Sequence, residues 1–336
     1  MGKWTSILLT TVLSIATLSA CEPAPKGETS ASKSRLDTVL ARGKVVCGVD
    51  GKIPGFSFVD SGGKYSGLDV DICRAVAAAL FDNPDAVEYR QLDSTERFTA
   101  LSGGEVDMLS RNTTWTLSRD AAGGNGLEFA PTTFYDGQGM MVKKESGIKE
   151  LKDFAGKSIC VESGTTTELN LTDRMRELNV QFTPVVFQDR DATYAAYQQG
   201  RCQGITSDKS QLLGRRTTLP NPDEHILLDA TMSKEPLGPV TINNDSRWFD
   251  VVRWVAYALF EGEELKITQA NVEQQKQSTN PEIKRFLGVE GELGTQLGLP
   301  KDFAARTIKH VGNYQEVYDR NLGAQSTFKL QRGLNA

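Results

Sequence analysis

Short apolar runs rich in β-branched residues alternate along this chain with longer segments whose apolar residues return every three or four positions. KVVCGV (44–49), AVEYRQL (86–92) and EVDMLS (105–110) read as strands. Between them, LDVDICRAVAAALF (68–81) reads as a helix with an apolar face through Val70, Ala77 and Leu80, and RFTALSGG (97–104) as a short helix ending on glycines. The rhythm then restarts. KSICVES (157–163), VQFTPVVF (180–187) and RCQGITSD (201–208) read as strands, with helices TTTELNLTDRMREL (165–178) and RDATYAAYQQG (190–200) between them. Such alternation builds a doubly wound α/β sheet. Two similar halves predict an α/β protein of two lobes facing a cleft, each lobe a doubly wound sheet.

FYDGQGMMVKK (134–144) carries two glycines, and SKEPLGPVTI (233–242) carries two prolines that hold the backbone extended. Both read as crossovers between the halves and as hinges. The chain then visits lobe 1 (37–135), lobe 2 (136–236) and lobe 1 again (237–336, with a C-terminal helical extension). In that extension SRWFDVVRWVAYALFEGEEL (246–265) places Trp248, Val252, Val255 and Leu259 on one helical face. Its Arg253 and glutamates oppose a membrane-surface reading, and core packing accounts for its aromatic content. NPEIKRFLG (280–288) and KDFAARTIKHVGNYQEVYDRNLG (301–323) read as capping helices.

The ends and the charge narrow the picture. Lys3 precedes the apolar run ILLTTVLSIATL (7–18), too short to span a bilayer and suited to a secretory signal over residues 1–20. LSAC (18–21) resembles the lipobox of bacterial lipoproteins, which makes Cys21 the expected lipidation site. Cleavage at a small-residue site with Cys21 merely nearby is the alternative. A myristoylation pattern over Met1, Gly2 and Ser6 ignores the apolar run that follows and is set aside. Residues 21–36, rich in Pro, Ser, Lys and Glu, read as a disordered tether. Export implies an oxidising compartment, so Cys47, Cys73, Cys160 and Cys202 are expected to pair. Three pairings are open, and Cys47–Cys73 with Cys160–Cys202 is favoured because each pair stays within one lobe. A net charge of −5 offers no basic field for nucleic acid. His225 and His310 are the only histidines and have no cysteine pair beside them, which argues against zinc. No cofactor is called for.

Four clusters carry candidate chemistry. Asp69 and Asp71 open the helix in GLDVDICRAVAAAL, where the helix dipole favours negative charge, and no partner base accompanies them. In RNTTWTLSRD (111–120), Thr114, Thr116 and Ser118 offer hydroxyls and Arg119 a planar fork that matches a carboxylate. By itself this stretch is either an anion site or a solvated turn. In ESGTTTELN (162–170), three threonines precede a helix whose free N–H groups favour an anion. One threonine would suffice as an N-cap with Glu168. In CQGITSDKSQL (202–212), Asp208 ends a strand and either caps the next helix or takes an ammonium. Two anion-binding edges and one carboxylate facing a shared cleft fit a zwitterion.

GLDVDICRAVAAAL also matches the signature of the bacterial extracellular solute-binding proteins of the polar amino acid family, family 3. RNTTWTLSRD, SKEPLGP, WFDVVRW, NPEIKRFLG and VGNYQEVYDRNLG resemble the members of that family that bind L-amino acids for ABC transporters. The resemblance runs from about residue 36 to the C-terminus. It implies a two-lobed periplasmic-binding-protein fold of type II and a monomer that captures an L-amino acid by lobe closure for a membrane permease. It further implies that Arg119 and Thr114 clamp the substrate carboxylate, with the backbone around Thr165 and Thr166 closing from the second lobe. Asp208 takes the ammonium, helped by the carbonyl of Asn112. Asp50 falls where relatives contact the side chain, and Ser94 where narrower relatives place a large residue, so that room is left for varied side chains. A lipobox departs from the many relatives that are freely soluble in the periplasm. Two other classes share the fold. A periplasmic enzyme resembling cyclohexadienyl dehydratase would need an acid or base such as Glu96 or Glu162. A sensory module would usually continue into a membrane span or kinase region, whereas this chain ends at GLNA. Arg111 and Trp115 receive no role.

Overall fold

The computed structural model describes Gly2 and residues 33–336. The expected signal segment, Cys21 and most of the expected tether lie outside the described residues. Helix α1 (Arg35–Arg42) begins inside the stretch assigned to the tether, capped by the Ser34 hydroxyl, which accepts from the Leu36 N–H. Leu36 is fully buried, which explains why the chain is ordered two residues earlier than composition predicts.

Strand β1 (Val45–Val49) leads into a small sheet of β2 (Lys52–Ile53), β3 (Ser57–Val59) and β4 (Tyr65–Ser66). Then follow α2 (Leu68–Phe81), β5 (Val87–Gln91), α3 (Arg97–Ser102), β6 (Met108–Leu109), α4 (Leu117–Asp120) and β7 (Leu127–Phe129). After β8 (Phe134–Asp136) the chain builds β9 (Gln138–Lys143), β10 (Ser158–Glu162), α5 (Thr166–Glu177) and β11 (Thr183–Phe187). These are followed by α6 (Arg190–Gln198), β12 (Gly204–Asp208), α7 (Lys209–Arg216) and β13 (His225–Leu227). It returns through β14 (Glu235–Leu237) to β15 (Val240–Ile242) and α8 (Ser246–Glu264). Short helices α9 (Val272–Gln275), α10 (Pro281–Phe286), α11 (Leu293–Gln296), α12 (Phe303–Val311) and α13 (Tyr314–Asn321) complete it.

Each lobe holds a five-stranded sheet, ordered β5-β1-β6-β15-β7 in lobe 1 and β11-β10-β12-β9-β13 in lobe 2. The first three strands of each are parallel, as the alternating pattern predicts. The fourth is antiparallel to its neighbours in both sheets. This is where the two crossover segments differ from their sequence reading. Only their first residues cross: β8 and β14 pair antiparallel, Glu235 opposite Asp136 and Leu237 opposite Phe134. The remainder of each supplies a central strand, and Met140, Met141 and Val142 are fully buried. The glycine-and-proline punctuation was read across a run apolar enough to be sheet core.

Helix α2 buries Val70, Ala77 and Leu80 as expected, but also Leu68, Ile72, Ala75 and Ala78. It is wedged among β1, α8, α12 and α13, so its periodicity marks no solvent face except at Arg74 and Phe81. Disulfides Cys47–Cys73 and Cys160–Cys202 are both formed, the first tying β1 to α2 and the second tying β10 to the approach of β12. Each should contribute about 2–4 kcal/mol. Protein unfolded, reduced, alkylated and returned to native buffer should therefore melt well below the oxidised protein. An identical melt would show that the bonds add nothing.

The four expected buried positions of α8 are buried, and Trp248 Nε1 donates to the Asp107 carbonyl at 2.7 Å. The segment 301–323 is two helices rather than one. Gly312 takes a φ of 86°, and Asn313 caps α13 in a capping box with Glu316. Among the described residues no helix is long and apolar enough to cross a membrane.

Candidate functional site

Three of the four chemistry-bearing segments, joined by Asp50, meet because each follows the carboxyl end of a parallel strand, where α/β sheets place their ligands, whereas the Asp69 and Asp71 helix start follows β4 of the small antiparallel sheet. Asp50 follows β1, residues 110–119 follow β6, residues 163–167 follow β10, and Asp208 ends β12.

On lobe 1 the turn after β6 is held by Asp69, whose carboxylate accepts from the Asn112 N–H at 3.0 Å and from Ser110 Oγ at 3.3 Å. Burial raises the Asp69 carboxyl to about 7, against the lowering effect of those bonds. The acidic helix start thus anchors Asn112, which sits at a φ of 44°. Thr114 bridges to Leu237 on β14. Arg119 folds back from α4, donating to the Thr114 carbonyl at 2.8 Å, with its guanidinium 5.2 Å from the Phe98 ring centre. Burial pulls its pKa down to about 10. Thr116 and Ser118 hydrogen-bond each other at 3.2 Å toward the surface, so Thr114 alone of the three hydroxyls reaches the cleft. Trp115 stacks on Phe129 and donates to Asp120, outside the cavity lining.

On lobe 2 the threonines divide their work. Thr165 is the N-cap of α5, accepting from the Glu168 N–H at 3.1 Å, while Glu168 in turn accepts from the Gly164 N–H. Thr166 turns its hydroxyl to within 3.4 Å of Thr114 Oγ1 across the cleft. Asp208 occupies the N-cap position of α7 but makes no side-chain capping bond. Its Oδ2 accepts from Gln211 Nε2 at 2.6 Å, and its Oδ1 has no partner among the described residues. Burial, with Asp136 and Glu235 nearby, holds this carboxyl well above its ordinary range.

Asn112, Thr114, Arg119, Thr165, Thr166 and Asp208 all line one cavity between the lobes, drawn in to about 20 Å³, room for about one water, so an amino acid enters only as the walls move apart. Sequence reasoning missed several further groups in its wall, among them Arg97, Glu162 and Arg190. Arg97 is buried, its Nε unpartnered among the described residues and its Nη2 donating to the Gly164 carbonyl. Glu162, nominated only as a candidate acid or base, and Arg190 belong to a buried ionic cluster that crosses the cleft. Arg190 sits within 3.0 Å of Asp50 and 3.1 Å of Glu162. Arg111, which the sequence left without a role, donates to Asp50 at 2.8 Å and to Ser94 at 3.1 Å. Burial would raise the Asp50 carboxyl, but Arg190 and Arg111 more than cancel this and hold it below its ordinary range.

Asp50 and Ser94 therefore do not line this cavity, although Asp50 lines the cavity adjoining it. Ser94 donates to Glu162 at 2.5 Å, and the room expected beside a small residue here is used by Glu162 and Arg111. Interlobe contacts continue outward, with Lys52 2.6 Å from Asp189 and Gln188 donating to Asp93 at 3.0 Å. Glu96 is exposed.

Comparison with known families matches residues 45–323 to the bacterial extracellular solute-binding proteins, family 3. The general L-amino acid-binding periplasmic protein AapJ of Rhizobium johnstonii is 52% identical over 92% of this chain and 91% of its own length. The glutamate/glutamine/aspartate/asparagine-binding protein BztA of Rhodobacter capsulatus is 47% identical over 91% of this chain and 90% of its own. Among solved structures, a periplasmic binding protein of an ABC transporter from Brucella ovis, with glutathione bound, superposes with a TM-score of 0.88. It shares 49% identity and covers 90% of this chain and 95% of its own. Two lobes joined by a paired crossover, a polar cavity between them, and a family match spanning both lobes make this chain a member of family 3 of the bacterial extracellular solute-binding proteins.

Proposed function

We propose that this protein is the substrate-binding component of an amino-acid ABC transporter, capturing L-amino acids in the periplasm by lobe closure and passing them to a membrane permease. The observation that carries the reading is the pairing of opposite unmet needs around one cavity. Arg119 lies buried without a carboxylate partner among the described residues, while Asp208 Oδ1 and both amide atoms of Asn112 are buried and unpartnered there. A zwitterion answers both. Its carboxylate would meet Arg119 and the N–H groups at the start of α5, and its ammonium would meet Asp208 and the Asn112 carbonyl. Binding of this kind needs no chemical step. The ionic wall beyond the head group offers charges of both signs, which supports a broad preference for polar side chains.

A thermal-shift screen across the common L-amino acids tests this. Ligand at about 100 times its dissociation constant should add about 2.7 kcal/mol, and the N-acetyl derivatives, which lack the ammonium, should add nothing. A screen without any responding L-amino acid, or with N-acetyl derivatives responding equally, would refute the reading. A second cavity favours one further class of ligand. It is lined by Asp50, Lys52, Gln91, Asp93 and Asp189 and shares Arg111, Glu162 and Arg190 with the first. A γ-glutamyl peptide such as glutathione carries the same α-amino-acid head group with a longer side chain, so it belongs in the screen.

A further inference from the structure

Glu235 lies on β14, in the crossover itself, and is 1% exposed. Its Oε2 accepts from Thr114 Oγ1 of lobe 1 at 2.6 Å and from Thr166 Oγ1 of lobe 2 at 2.8 Å. Its Oε1 accepts from Asn170 Nδ2 of lobe 2 at 2.9 Å and from Ser233 Oγ. One buried carboxylate on the hinge thus gathers donors from both lobes and from the crossover.

We infer that Glu235 is the positioning residue of the head-group clamp, setting which way Thr114 and Thr166 present their hydroxyls and tying that orientation to lobe closure. The inference rests on reading the cavity as an α-amino-acid site. A threonine hydroxyl has one proton and two lone pairs. With both protons given to Glu235, the two hydroxyls turn acceptors toward the cavity. They can receive a hydrogen bond from a ligand ammonium, and they cannot donate one to its carboxylate. The carboxylate is left to Arg119 and the backbone, which replaces the carboxylate-clamping role that the family resemblance implied for the Thr114 side chain.

The link to closure follows from where the donors sit. Thr114 belongs to lobe 1, while Thr166 and Asn170 belong to α5 of lobe 2. A single carboxylate holds all three only while the lobes are together, so opening the cleft must break part of the set. An amide at 235 could not hold the same set, because its nitrogen would replace one of the two accepting oxygens and meet either Thr114 and Thr166 or Asn170 and Ser233 with donors of its own.

The test is a double-mutant cycle read by calorimetry, with L-glutamine and L-alanine as probes and interlobe spin-label distances measured on the same proteins. Glu235→Gln should weaken both probes about ten-fold and shift the ligand-free distances toward the open form. Thr114→Val should cost less affinity in the Glu235→Gln background than in the wild type. Should Glu235→Gln misfold, Thr114→Val and Thr166→Val carry the test with Glu235 in place. Their combined loss should fall short of the product of the single losses, because both act through one carboxylate. A Glu235→Gln protein with unchanged affinity and unchanged distances overturns the inference, as do fully multiplicative threonine losses. If the wild type binds neither these probes nor any other L-amino acid, it is the functional reading that fails.

Discussion

Arg119→Ala should abolish most L-amino-acid binding while leaving the ligand-free protein about as stable as before. Truncating one partner of a buried, hydrogen-bonded charge pair costs about 2–5 kcal/mol, a 30-fold loss of affinity or more. In the ligand-free protein the ledger differs. Arg119 makes one bond to the Thr114 carbonyl and one contact with Phe98, and burial depresses its pKa to about 10. Removing a desolvated cation that lacks a carboxylate partner among the described residues offsets much of what those contacts contribute. Calorimetry and a ligand-free melt, run side by side, would show the split. A structural arginine would lose stability and affinity together. Arg119→Lys should also bind poorly, since an ammonium cannot reproduce the two parallel hydrogen bonds of the guanidinium fork. Full affinity in Arg119→Ala would remove this residue from the clamp.

Affinity should fall as the pH is lowered, and Asp208 should be the main cause. Burial first, then Asp136 and Glu235, raise its pKa in the ligand-free protein. A bound ammonium favours the ionised form and pulls that pKa back down. Binding therefore requires the carboxylate, and below the ligand-free pKa a proton must leave for the complex to form. The sign is fixed: binding weakens as pH drops through the raised ligand-free value, by up to about ten-fold per pH unit for one proton. Asp136, raised to about 6 by burial, titrates nearby and adds a shallower component. Both charged groups of the ligand keep their charge across pH 5–8, so the protein carries the dependence. Calorimetry in buffers of different ionisation enthalpy should detect the released proton. Asp208→Asn should bind weakly at every pH and lose most of the slope. A wild-type affinity that stays flat from pH 5 to 8 would contradict the assignment.

The ionic cluster between the lobes shows how the site and the closed arrangement share residues. Asp50, Ser94 and Arg111 come from lobe 1, and Glu162 and Arg190 from lobe 2. Each charge is buried and answered by an opposite charge or a hydroxyl, the condition under which burying ions is tolerable. Under the proposed function a ligand side chain would meet this wall rather than an apolar slot, and discrimination among side chains would depend on how the cluster re-pairs.

How much of this could be read from the chain alone depends on the range of the interaction. Helix α2 was legible to the residue because Gly67 precedes it and its apolar pattern is unbroken over 68–81. The strand ends at Glu162 and Asp208 were legible because polar residues cut short a β-branched run. The crossovers were half legible, since glycine and proline marked the turn but not the central strand that follows it. Arg111 was visible as a charge and had no assignable partner. Arg190 and Glu235 carried no local signal at all.

Periodicity, strand-end residues and cysteine placement were thus enough for the two α/β halves, the parallel part of each sheet and three of the segments that border the cleft. Those features are set by neighbours a few positions apart along the chain. Which hydroxyl faces the cavity, which carboxylate is left with an unpaired oxygen, and what Arg111 does were decided only by folding. Arg190 and Asp50 stand 140 positions apart, and Glu235 and Thr114 stand 121 apart. Partners that distant are chosen by how the lobes pack and close, and no local pattern of polar and apolar residues records that choice.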